Sequence, residues 1–248
     1  MKRIANGWPE WQIILILGLL LSFGILVHSA HAQPHLQGGI NFSMGFPQGD
    51  FERNVDNTGF GLGLDFIFTP APSPIGFGAN FGFLVYGSES REEPLSPYIP
   101  EVRVNVETSN SIVQGYFLVR MQPQVGIVRP YLDGLLGFNY LFTQTQINNQ
   151  GGYDEEIAST TNFDDFAFSY GAGAGVMFQV YDGSMKIQPG QRGLYRIFID
   201  LKTRYLLGGE AEYLKEGSII RENDRVVYQV SHSETNLLTV QIGVAVEF

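Results

Sequence analysis

The 248-residue sequence predicts an all-β fold, an eight-stranded antiparallel transmembrane up-and-down β-barrel, on three observations. Large apolar residues alternate with small or polar ones in eight separate segments, which is the two-residue period of a strand. The apolar set is too bulky to fill the inside of so small a cylinder. Long and short connections alternate along the chain.

Composition narrows the field first. With no cysteine, disulfide scaffolds and thiolate zinc sites are excluded. Charged residues make up 16% of the chain, against about 25% in typical soluble domains. The chain has 30 Gly, 19 Phe and 12 Tyr. A net charge of -10 is the wrong sign for a nucleic-acid surface, so no such partner is expected. A hydrophobic content of 44% is also too high for disorder.

At the amino terminus, Lys2 and Arg3 precede an apolar run over 13–27 and then Ala30, His31 and Ala32. Basic, apolar and small-residue regions in that order predict a signal peptide over 1–32, cleaved to leave a barrel domain over 33–248. The alternative is a retained anchor, since the run approaches the ~18 residues needed to span. Loss of Lys2, Arg3 and Glu10 takes the formal charge from -10 to -11 and leaves His35 and His232 as the histidines.

The strands follow in order. Ile40, Phe42 and Met44 alternate with Asn41, Ser43 and Gly45; Phe60, Leu62, Leu64, Phe66 and Phe68 alternate with Gly61, Gly63 and Asp65. Phe77, Ala79, Phe81, Phe83 and Val85 face away from Gly78, Asn80, Gly82 and Leu84, and Val113, Phe117, Val119 and Met121 from Gln114, Tyr116 and Arg120. Leu132, Leu136, Phe138, Tyr140 and Phe142 oppose Asp133, Gly137 and Asn139 in the fifth. In the sixth, Phe166, Phe168, Tyr170, Val176 and Phe178 oppose Ser169, Gly171, Gly173, Gly175 and Gln179. The seventh sets Tyr195, Ile197, Ile199, Leu201, Tyr205 and Leu207 against Arg196, Asp200, Lys202 and Arg204; the last sets Leu238, Val240, Ile242, Val244, Val246 and Phe248 against Thr239, Gln241, Gly243, Ala245 and Glu247.

Periodicity does not say which face is inside, but volume does. The apolar face sums to roughly forty large residues, whereas an eight-stranded barrel has room only for side chains that fill a narrow interior. The bulky face therefore points to lipid, and closure satisfies every backbone group without water. A soluble sandwich would carry charged outer positions where this chain carries glycine. Connections over 47–58, 88–110, 144–164 and 208–234 are long, and those over 70–74, 122–130 and 182–193 shorter. Outer-membrane barrels have short periplasmic turns and longer extracellular loops, so the long connections are expected outside the cell.

With these strands and the ending Gly243, Val244, Ala245, Val246, Glu247, Phe248, the mature chain resembles the small outer-membrane barrels of the OmpX and OmpA transmembrane type, within the outer membrane protein β-barrel domain group. The resemblance implies an outer-membrane location and makes Val244, Val246 and Phe248 an assembly signal read by the barrel-insertion machinery. No peptidoglycan-binding domain is expected after Phe248, so a tethering role is not implied. That group shares an architecture, and architecture alone does not assign a function.

Asp65, Arg120, Asp133, Arg196, Asp200, Lys202, Arg204 and Glu247 all fall on the interior face. Four acids and four bases in a narrow lumen predict a hydrogen-bonded ion-pair filling, because unpaired charges there are costly. The alternative is a narrow solute conduit through gaps left by glycines. No cofactor and no metal ligand set is expected. A lipid-modifying enzyme needs a serine nucleophile with a histidine, and only Ser231, His232, Ser233 and Glu234 offer one on the exterior. Adjacent strand residues point to opposite faces, so no complete dyad forms.

The expected role is non-enzymatic, structural or in surface interaction through acidic loops. Partners are outer-membrane lipids, lipopolysaccharide, the assembly machinery and an extracellular protein. Glu89, Glu92 and Glu93, Asp154, Glu155 and Glu156, and Asp164 and Asp165 form either a solvated acidic rim or cation sites bridging to lipopolysaccharide. The segments 219–230 and 102–107 alternate as β-hairpin strands above the membrane, which pair with each other or leave an edge for a partner. Tyr86, Tyr140, Tyr195 and Tyr205 are expected in interfacial aromatic girdles.

Overall fold

The computed structural model describes residues 35–70, 72–96, 99–149, 156–183, 196–222 and 225–248. The expected leader over 1–32 and Tyr195 lie outside them. Eight long strands are β1 (His35–Pro47), β2 (Gly59–Thr69), β3 (Ile75–Ser96), β4 (Ile99–Met121), β5 (Val128–Asn149), β6 (Glu156–Asp182), β7 (Arg196–Gly208) and β12 (Leu237–Glu247). They form one closed antiparallel barrel, each long strand pairing with its chain neighbours. The seam joins first to last, from Gln37 opposite Glu247 to Pro47 opposite Leu237. The predicted eight-stranded barrel is the observed fold.

The period-two phase decides the burial of each strand. In β7, Phe198, Asp200, Lys202 and Arg204 are buried while Ile199, Leu201, Tyr205 and Leu207 are exposed. The same outward set recurs in β2 with Phe60, Leu62, Leu64, Phe66 and Phe68. In water such a surface would be a large aggregation liability; around a closed barrel it is the lipid belt. Among the described residues no helix is long and apolar enough to cross a membrane; the strands make the crossing.

Two expectations are corrected. The connections expected over 88–110 and 144–164 are mostly strand: β3 to β6 run 22, 23, 22 and 27 residues, against 11 to 13 in β1, β2, β7 and β12. About ten extra residues per strand at ~3.4 Å each add ~34 Å of strand length to a four-stranded sheet that continues beyond the wall. Register shifts at Val85/Gly87 and Thr143/Gln144 mark where it leaves the barrel, the rim position where bulges bend a sheet. The interior is also not merely small. Arg120, Arg129, Arg204, Phe198, Ile67, Leu84, Ile112, Leu118 and Leu141 are all fully buried. Glycines on facing strands make the room: a Cβ on Gly175 would overlap the Tyr131 ring, one on Gly173 would sit 2.6 Å from Arg204 Cγ, and one on Gly45 2.7 Å from Leu84 Cδ1.

The loop after β1 contains the five-residue helix α1 (Asp50–Asn54), entered through Gly49 at φ 64°. It has acidic residues in its first turn and Arg53 in its last, matching the helix dipole. So short a helix is held by what it buries, Phe51. The loop after β7 contains two ribbons. Strands β8 (Glu210–Tyr213) and β11 (Ser231–Glu234) pair, as do β9 (Ile219–Glu222) and β10 (Arg225–Tyr228).

Candidate functional site: a charge-locked lumen under a closed mouth

Six of the eight expected interior charges meet in one circuit across the lumen. Arg120 donates to both oxygens of Asp133 at 2.7 and 2.9 Å, the paired geometry that suits guanidinium and carboxylate. Arg204 Nη2 bridges Asp133 and Asp65, at 3.0 Å each. Lys202 Nζ joins Asp65 to Asp200, 3.3 Å from the latter. Asp200 accepts from the Tyr131 hydroxyl at 2.6 Å, and the Tyr131 ring lies 3.7 Å beneath the Arg120 guanidinium carbon, a cation–π contact that closes the loop. Asn41 and Asn80 also donate to Asp65, at 3.1 and 2.9 Å.

β2, β4, β5 and β7 supply the three carboxylates and three cations, so the circuit is neutral. Hydrogen-bonded to this extent, charges can lie in a low-dielectric cylinder. The circuit also occupies the middle of the lumen.

Arg196 and Glu247 sit apart from it, in a second cluster at the periplasmic end. Glu247 accepts from Arg129 at 2.7 Å and from Arg196 at 2.9 Å, and His35 Nδ1 lies 3.4 Å away. Arg196 Nε is 3.8 Å from Asp182, and the Arg129 guanidinium carbon is 4.7 Å from the Phe198 ring centroid. This staple joins β1, β5, β7 and β12. Arg129 was not expected, because the spacing placed it in a turn. Counting back by two from Asp133 through Tyr131 puts it on the inward face.

At the extracellular end the filling is apolar. Phe51 packs edge-on between Tyr86 and Tyr213, with ring centroids 5.7 and 5.1 Å away, in a cluster that includes Leu84, Ile112, Leu206 and Leu237. Hydrogen bonds from Asn54 to Tyr213 (3.0 Å), between Tyr213 and Ser233 (2.8 Å), and from Tyr86 to the Leu214 carbonyl (3.2 Å) fasten α1 and the last loop over the opening. Tyr86 is thus a buried part of the closure and not a girdle residue. Tyr205 does face lipid, and Tyr140 donates to Asp164 at 3.1 Å at the outer rim.

The serine and histidine of the exterior segment do not meet. Ser233 is buried and bonded to Tyr213 and to the Glu234 carbonyl, while His232 is exposed with Nε2 3.8 Å from Glu210. Among the described residues no group of three or more His, Asp or Glu side chains is placed to hold a metal ion. Val244 and Phe248 face outward, and Phe248 donates its backbone N–H to Leu36 O at 2.8 Å across the seam; Val246 is half-buried on the same face.

Apart from Asp182 beside Arg196, the described carboxylates outside the lumen lie at the extracellular end: Asp50, Glu52, Asp56, Glu89, Glu92, Glu107, Asp164, Asp165, Glu210, Glu212, Glu216 and Glu234, against Arg53, Arg91 and Lys215 among the described side chains. Several bond to neutral donors, Glu216 to Asn57 (2.7 Å), Glu89 to the Gly217 N–H (3.0 Å) and Asp165 to the Glu212 N–H (2.7 Å). Neutral partners leave their charge uncancelled.

Fold and lumen together define a membrane-spanning barrel of the bacterial outer-membrane kind. The chain belongs to the outer membrane protein β-barrel domain family, whose model matches residues 15–248, and it is an outer-membrane protein. No curated protein matches it. It is similar in structure to Ail, the attachment invasion locus protein of Yersinia pestis, solved with the heparin analogue sucrose octasulfate (15% identity, 88% of this chain and 100% of that one, TM-score 0.37). It is also similar to Neisserial surface protein A (10%, 88% and 98%, TM-score 0.35) and to a major outer membrane protein of Thermus thermophilus (12%, 88% and 100%, TM-score 0.40).

Proposed function

We propose that this protein is a non-enzymatic, non-conducting outer-membrane scaffold that works through its acidic extracellular loops and projecting sheet. One observation carries this reading: the lumen is filled twice, by the neutral circuit around Asp65, Asp133 and Asp200 and by the Phe51 closure above it. A barrel filled in this way offers solutes no path, which leaves the outer surface as the working part. The separation of Ser233 from His232 supports a non-enzymatic role.

The sheet of β3 to β6 gives that surface reach. Val106 is paired on both sides, with Arg91 and Ile147, so pairing within the chain accounts for the alternation seen there. The outer sides of β3 beyond Val85 and of β6 before Ser169 have no partner strand in the barrel pairing. We further propose export through a leader cleaved after Ala32 and insertion by assembly machinery that reads Val244, Val246 and Phe248. Outer-membrane lipids and lipopolysaccharide surround the belt.

The test compares adhesion to host or neighbouring cells by bacteria bearing intact protein and bacteria bearing protein clipped by protease in its loops. Reduced adhesion after clipping is expected, and equal adhesion would remove the surface role. Refolded protein in a planar bilayer should give no channel steps; discrete steps would restore the conduit.

A further inference from the structure

We infer that the β9–β10 ribbon is a docking surface for a cationic, partly apolar extended segment of an extracellular protein. The inference rests on the surface role proposed above and names the chemistry of its partner. Outside the lipid belt on the extracellular side, the exposed large apolar side chains among the described residues are Val226, Val227, Tyr228 and Val230, all in or beside β10. Lipid explains exposed apolar groups on the wall, but it does not explain four of them on a loop above the membrane.

The ribbon is also firmly rooted. Arg91 donates to the Ile219 carbonyl at 3.3 Å, Gln229 N–H to the Ser218 carbonyl at 2.9 Å, and the preceding Gly217 N–H to Glu89 at 3.0 Å. A surface held in place before contact loses little entropy on binding.

Charge selects the occupant. In the sequence, the charges of Arg221 and Arg225 are balanced by those of Glu222 and Asp224. Across the extracellular end as a whole the described side chains are twelve carboxylates against three bases, a net field that attracts cations and repels anions. A second copy of this chain would bring the same acidic surround, and lipopolysaccharide and anionic lipid carry the same sign. A segment with Lys or Arg to meet the rim and apolar side chains to cover Val226, Tyr228 and Val230 satisfies both features.

The experiment uses the mature protein in nanodiscs of zwitterionic lipid and three synthetic peptides of equal length, alternating Lys–Val, Lys–Ser and Glu–Val. Lys–Val should bind about tenfold tighter than either of the others, a difference of ~1.4 kcal/mol, and should weaken as salt rises. The triple variant Val226→Ser, Tyr228→Ser, Val230→Ser should bind Lys–Val and Lys–Ser alike. Its folding is checked by the mobility of the unheated barrel on gels, and the milder Val226→Ser serves if the triple variant misfolds. Equal binding of Lys–Val and Lys–Ser to the unaltered protein would reject the ribbon and leave an acidic surface role standing. Glu–Val binding as tightly as Lys–Val would reject selection by charge. Self-association abolished by the triple variant would assign the ribbon to a second copy and overturn the inference. Absence of binding by all three peptides overturns it as well, while the adhesion assay decides the surface role separately.

Discussion

Asp133→Ala is expected to be the costliest carboxylate truncation in the lumen, and the circuit geometry says why. Arg120 is buried at 1% exposure, and its hydrogen-bonded carboxylate is Asp133, at 2.7 and 2.9 Å. Removing that partner leaves a buried guanidinium with the Tyr131 ring at 3.7 Å, and breaking a buried pair from one side costs about 3–5 kcal/mol. Asp65→Ala removes contacts to two cations and two amides, but Lys202 keeps Asp200 at 3.3 Å, Arg204 keeps Asp133 at 3.0 Å and Asn80 keeps the Leu64 carbonyl at 3.1 Å. Its cost should be nearer that of a charged hydrogen bond or two, about 2–3 kcal/mol. The paired substitution Arg120→Met with Asp133→Leu removes both charges and should return to within ~1 kcal/mol of the unaltered protein, as apolar replacement of a buried pair is often neutral. Urea unfolding in lipid vesicles, followed by far-ultraviolet circular dichroism and the gel mobility of the folded barrel, measures all three. Asp133→Ala costing no more than Asp65→Ala would refute the closed circuit, as would a double variant no better than the single one.

Further outcomes follow from the closure, the wall and the seam. Phe51→Ala removes a fully buried ring, a change worth about 3–5 kcal/mol in a core. Because the ring sits in a loop helix, the effect should be faster protease cleavage of the loop over 48–58, with the barrel's unfolding midpoint little changed and bilayer conductance still absent. A Cβ at Gly137 would overlap the Gly115 carbonyl and lie 2.7 Å from Tyr116 Cα, whereas at Gly134 the nearest atom is Val119 O at 4.0 Å. Gly137→Ala should therefore lower stability by about 1–3 kcal/mol and Gly134→Ala change it by under ~0.5 kcal/mol, compared by the fraction refolded on gels. Phe248→Ala should reduce the amount of barrel assembled in cells while leaving refolding into synthetic vesicles near normal; an equal loss in both would make its role structural.

The alternation of bulky and small residues specified the strands, their inward and outward faces and the ionic character of the lumen filling, because the pleat sends neighbouring side chains to opposite faces whatever the strand pairs with. Glycine abundance, the apolar belt and the candidates Asp65, Arg120, Asp133, Asp200, Lys202 and Arg204 were legible for that reason. Which charge meets which was not. Lys202 reaches Asp65 across 137 positions and Arg129 reaches Glu247 across 118, and only strand order and register, established when β1 closes on β12, bring them together. The Phe51 closure left no periodic trace either, since a five-residue helix is shorter than the repeat that would reveal it, and the Asn54–Tyr213 bond spans 159 positions. Local sterics thus determined each strand and its faces, while closure of the cylinder decided the circuit, the staple and the sealed mouth, because those depend on distances that no single segment encodes.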